Sequence, residues 1–97
     1  MHGEYKTPGG KLVVVDFDVE DEVLRNVVVS GDFFLYPDEA LEAITAPLEG
    51  LPRTMDEAGI ADAVRQAIPA GTELLGTSPE GIAIAVQRAL LAGTRGA

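Results

Sequence analysis

Lys11-Leu12-Val13-Val14-Val15-Asp16-Phe17-Asp18-Val19, then Glu20-Asp21-Glu22, then Leu24-Arg25-Asn26-Val27-Val28-Val29-Ser30, is the stretch that decides the fold. Val13, Val15, Phe17 and Val19 alternate with Leu12, Val14, Asp16 and Asp18, the period of two that marks a strand with one buried face. The polar patch at 20–22 reads as a turn, and the β-branched run at Val27-Val28-Val29 reads as a second strand returning beside the first. If Asp21 and Glu22 form a two-residue turn, antiparallel pairing sets Asp18 opposite Arg25, Val15 opposite Val28 and Lys11 opposite Asp32. Gly31 breaks the β pattern before Asp32-Phe33-Phe34-Leu35-Tyr36, where a bulge or bend and a short third strand are expected.

Beyond Tyr36 the period changes to that of helices. Pro37, with Asp38 and Glu39 in the first turn, opens a helix carrying Leu41, Ile44 and Leu48; Pro47 kinks or restarts it and Gly50 ends it. Thr54 with Glu57 fits a capping box for a second helix whose apolar face is Ile60, Ala61, Val64 and Ile68, stopped by Pro69, with a turn at Gly71. Ser78-Pro79 caps and starts a last helix bearing Ile82, Val86, Ala89 and Leu90, closed by Gly93. Strands first and helices after predict an α+β domain. The expectation is one domain over residues 1–97: an antiparallel hairpin or three-stranded sheet with about three helices on one face, and frayed ends at 94–97.

Composition narrows the function. Aromatics make up 5% of the 97 residues and Trp is absent, so the core must be built from Val, Leu, Ile and Ala. There is no cysteine, which removes disulfides, thiolate nucleophiles and iron–sulfur ligation. A formal net charge of -9 opposes binding to phosphate backbones and anionic lipids, so neither nucleic acid nor membrane is expected as a partner. Met1-His2-Gly3-Glu4-Tyr5-Lys6 lacks the apolar stretch of a signal peptide, which implies a cytoplasmic location. His2, the single histidine, reads as part of a disordered terminus rather than a metal site.

Gly9-Gly10-Lys11 is not a phosphate loop, because Tyr5 stands where the first glycine belongs and Leu12 where a magnesium-binding hydroxyl belongs. It reads as a Gly-rich entry to the first strand. Asp16, Asp18, Glu20, Asp21 and Glu22 lack the loop glycine and spacing of a calcium cage and read as a solvated strand face and hairpin tip. Ser30-Gly31-Asp32-Phe33-Phe34 has two readings from chemistry. In one the phenylalanines are core and Asp32 satisfies backbone donors; in the other the acid anchors a partner's cation. No catalytic, cofactor-binding or metal-binding residue emerges.

Lys6-Thr7-Pro8-Gly9-Gly10-Lys11-Leu12, combined with Ser30-Gly31-Asp32-Phe33-Phe34 and Pro37 after a hairpin, resembles the C-terminal accessory domain of lipoate-protein ligases. Leu48-Glu49-Gly50-Leu51-Pro52 and Gly76-Thr77-Ser78-Pro79-Glu80 are similar to that family too, so the resemblance covers nearly the whole chain. It implies a fold similar to the iron–sulfur scaffold and sulfur-acceptor class, whose cysteine chemistry this chain lacks. It further implies the stand-alone small subunit of a split ligase, non-catalytic alone and paired as a heterodimer with a large catalytic subunit. That partner would use ATP, magnesium and lipoate to make lipoyl-adenylate, for transfer to lysines of lipoyl-carrier proteins. On this resemblance Lys6, Gly9, Gly10, Lys11, Gly31, Asp32, Phe33 and Phe34 are assigned to partner or loop contact. The alternative is a non-enzymatic adaptor or stabilising module for a biotin-, lipoate- or octanoyl-transferase type of protein.

Overall fold

The structure, a computed structural model, describes residues 1–36, 40–69 and 71–95. Strands β1 (His2–Lys6), β2 (Leu12–Glu20) and β3 (Val23–Gly31) form an antiparallel sheet in that order. After it come β4 (Phe34–Tyr36), α1 (Ala40–Thr45) with a 3-10 turn at Ala46–Leu48, α2 (Glu57–Ala67), β5 (Glu73–Leu75) and α3 (Pro79–Arg95). The architecture is α+β, as the order of patterns predicts, with β4 and β5 paired as a separate two-stranded ribbon.

The alternation in β2 settles which way the sheet faces. Val13, Val15 and Phe17 are buried, and they meet Leu24, Val27 and Val29 of β3 and Ile82, Val86 and Ala89 of α3 in one core. Full burial of each such aliphatic side chain contributes about 1.5–3 kcal/mol, so a core almost free of aromatics suffices at this size. Ile60, Ala61 and Val64 of α2 and Ile44 and Leu48 of the α1 segment complete it. Sheet and helices thus form two layers.

The hairpin turn at Asp21-Glu22 is as expected, with φ of 54° and 67°, and Asp18 faces Arg25. Beyond it the register differs from the expectation. Asp16 faces Val28 and Val15 faces Val29, because a bulge places Asn26 and Val27 opposite Phe17 alone. Asn26 takes φ 55°, a left-handed conformation that Asn tolerates, and its side-chain amide donates to Asp18 at 3.1 Å. The extra residue lets Leu24 and Val27, three apart, point to the same side.

The segment after the 3-10 turn covers the open edge of β3. Leu24 N–H donates to Leu51 O (2.9 Å), Gly50 N–H to Leu24 O (2.8 Å), and Arg53 N–H to Glu22 O (2.9 Å). The Glu49 carboxylate accepts from Val27 N–H beside the bulge. Leu48-Glu49-Gly50-Leu51-Pro52 is therefore an edge-sealing strap.

Several expectations are corrected. The N-terminal segment is a strand rather than a disordered end: Gly3 faces Val15, Tyr5 faces Val13, and Phe17 N–H donates to Met1 O at 2.9 Å. A side chain at Gly3 would collide with the backbone of α3 at Ala85 and Ala89, so glycine there lets strand and helix approach. Arg88 of α3 stacks 4.9 Å over the Tyr5 ring and donates to Glu4 O, tying β1 down. The third strand of the main sheet is thus β1, whereas the strand after Gly31 belongs to the ribbon. The cap of α2 is Asp56, accepting from Gly59 N–H at 2.8 Å, instead of Thr54. The last helix runs through Gly93 to Arg95. Pro37, Asp38 and Glu39 lie outside the described residues.

Candidate functional site

Thr7-Pro8-Gly9-Gly10 is the turn joining β1 to β2. Gly10 N–H donates to Thr7 O at 2.7 Å, with Pro8 second and Gly9 third at φ 72°, the residue preference of a type II turn. The Gly-rich entry read from sequence is therefore a hairpin tip, and the Pro-Gly pair was the signal for a strand before it.

This tip rests on the loop between β5 and α3. Lys11 N–H donates to Gly76 O at 2.8 Å. A Cβ on Gly10 would lie 2.6 Å from that same oxygen, and one on Gly76 would lie 2.5 Å from Lys11 Cγ. Gly76 also has φ 94°, a conformation that disfavours every L side chain. Glycine on both sides is the condition for contact. Two residues further, Ser78 Oγ caps α3 by accepting from Gly81 N–H at 3.1 Å. The Thr7 and Thr77 hydroxyl oxygens converge on Gly81, buried and without a hydrogen-bond partner.

The end of β3 reaches the same place. Val13 faces Gly31, and Asp32 N–H donates to Leu12 O at 3.0 Å. Because of the bulge, the Lys11 and Asp32 side chains form no ion pair with each other, in contrast to the facing charges expected from an unbroken register. Lys6, Gly9, Lys11, Gly31 and Asp32 are exposed, Gly10 and Phe33 are half-buried, and Phe33 packs on the core. The backbone of Phe34 opens β4 and pairs with Leu75. All eight residues lie at one end of the sheet, around Gly76, which the sequence resemblance includes but the assigned contact residues do not.

Exposed Lys6, Lys11 and Asp32 present opposite charges on a backbone pinned by glycine packing. Among the described residues no group of three or more His, Cys, Asp or Glu is placed to hold a metal ion. No helix among them is long and apolar enough to cross a membrane.

No protein-family model matches the chain, and no curated protein matches it. A solved chain does match, with a TM-score of 0.71 and 23% identity over 89% of this chain and 92% of that one. It comes from a structural analysis of an archaeal lipoylation system, a bi-partite lipoate protein ligase and its E2 lipoyl domain from Thermoplasma acidophilum. The present chain has the fold of that component of the archaeal lipoylation system, over nearly the full length of both.

Proposed function

We propose that this chain is the accessory subunit of a bipartite lipoate-protein ligase, supporting ATP-dependent activation of lipoate to lipoyl-adenylate by a separate catalytic subunit. The modified groups are lysines of lipoyl-carrier proteins. The observation that carries the reading is the near end-to-end match in fold to a chain of a bi-partite lipoate protein ligase system. Supporting it, three of the motifs that carry the sequence resemblance, at 6–12, 30–34 and 76–80, gather at one end of the sheet, while the one at 48–52 seals the edge of β3 elsewhere.

On this reading the catalytic lysine, ATP, magnesium and lipoate all belong to the large subunit. The accessory chain contributes order: a rigid end of a domain, pressed on mobile loops of a catalytic subunit, holds them closed over an adenylate that water would otherwise hydrolyse. The pair works as a cytoplasmic heterodimer.

The test is reconstitution. The catalytic subunit of the same organism is incubated with lipoate, ATP and magnesium, with and without this chain, and pyrophosphate release is followed. This chain alone should release none, the large subunit alone should be slow, and the mixture should be at least tenfold faster. Equal rates with and without this chain would leave it a non-enzymatic adaptor or stabilising module.

A further inference from the structure

The β4–β5 ribbon is unusual in having little of its own to hold it. Each strand is three residues long, and among the described residues no third strand pairs with either. Two-stranded ribbons of this size are marginal in water unless something covers them. Leu35 and Leu74, paired across the ribbon, turn inward and pack against the core. Tyr36 and Leu75 turn outward and are 71% and 53% exposed.

The apolar outer face is set in acid. Glu73 pairs directly with Tyr36, Asp32 lies two residues before β4, and Glu42 follows the exposed Leu41 on α1, the helix that contacts β4. At its far end Leu75 runs into Gly76, where the Lys6–Lys11 hairpin tip is seated. The ribbon is therefore continuous with the candidate site. Among the described residues, Val28 and Leu91, the other large apolar side chains left in solvent, stand elsewhere, on the outer face of β3 and late in α3.

We propose that the β4–β5 ribbon is the docking surface of this chain, and that its occupant is an extended segment of the catalytic ligase subunit. That segment pairs with the free edge of β5, lays an apolar side chain over Tyr36 and Leu75, and sets Lys or Arg against Glu73, Asp32 and Glu42. Main-chain pairing at an open edge supplies affinity and the alternate side chains supply selection. The carboxylates of Glu73, Asp32 and Glu42 favour a basic side chain over this part of the ribbon. This assignment rests on the function proposed above, which supplies the partner; the location, the added strand and the segment's basic, apolar character are read from the ribbon itself.

The experiment measures binding to the catalytic subunit and adenylate formation in parallel. Leu75→Glu and Tyr36→Glu should each weaken binding at least tenfold, while Leu91→Glu should change it less than twofold; thermal melts check that each variant is folded. Amide exchange at Glu73–Leu75 in the unaltered chain should slow at least tenfold when the catalytic subunit is added, a readout that needs no variant. If the unaltered chain binds and stimulates adenylate formation, yet exchange at β5 is unchanged and the ribbon variants bind normally, the docking assignment is overturned and the proposed function stands. If the unaltered chain neither binds nor stimulates, both fall. If the chain alone forms a dimer that Leu75→Glu splits, the occupant is a second copy and the assignment is overturned.

Discussion

Gly76 shows how much one residue can hold in place. Its φ of 94° and its contact with Lys11 mean that a methyl group there is strained twice, once by the backbone and once by the neighbouring side chain. Gly76→Ala should cost about 1–3 kcal/mol, seen as a lower urea midpoint with an unchanged slope. His2 is a second case. Its ring nitrogens lie 2.6 Å from carboxylate oxygens of Glu4 and Asp16, and these hydrogen bonds, Glu4 first, raise its pKa above the ordinary imidazole value. A raised folded pKa favours the protonated ring in the folded state. The stabilisation is therefore complete below the unfolded pKa and is lost as pH rises through the folded one. Comparing melting temperatures at pH 5.5 and 8.5, His2→Gln should melt below the unaltered chain at the lower pH and level with it at the higher. A constant gap would show that the imidazolium contributes nothing.

At the scale of elements, the bulge in β3 and the strap that follows the 3-10 turn depend on each other. Asn26 adds a residue to the strand, and the adjacent Val27 N–H is met by the Glu49 carboxylate. An orphaned donor in a partly buried place costs about 1–3 kcal/mol. Glu49→Ala should fall near the lower end of that range, since Glu49 itself is exposed and water can reach the gap. Glu49→Gln keeps an acceptor oxygen and should lose less. Equal losses in equilibrium unfolding would mean that the charge of Glu49, rather than its hydrogen bond to the bulge, is what matters.

For the whole molecule, the dominant long-range quantity is a net charge of -9. A domain this acidic approaches a basic surface faster than a neutral one, and the gain shrinks as the screening length falls from about 10 Å at 0.1 M salt to about 3 Å at 1 M. If the proposed function holds, association with the catalytic subunit should accordingly slow by at least tenfold across that range, while the dissociation rate changes little. Stopped-flow measurement of both rates separates steering from the apolar contact. An association rate indifferent to salt would place the acidic surface outside the encounter.

What the sequence determined by itself was local. The alternation from Lys11 to Val19 set the buried face of β2, and the polar run at 20–22 located a two-residue turn. The apolar spacings of Ile60 to Val64 and of Ile82 to Leu90 marked the helix faces that are in fact buried. Pairing beyond the bulge was not legible, because Val27-Val28-Val29 is apolar on both faces and carries no sign of which valine turns inward. β1 was missed because the residue it buries most deeply is Gly3, whose reason for being glycine is the close approach of Ala85 and Ala89 some eighty positions later. β5 is three residues long, too short for any period to show. The candidate site was half legible: Lys11 and Asp32 are brought to one end by the hairpin alone. That Gly76 and the start of α3 meet them there was decided by tertiary structure, since chain pattern records where a segment turns and which face it buries, while only packing of α3 against the sheet determines which turns touch.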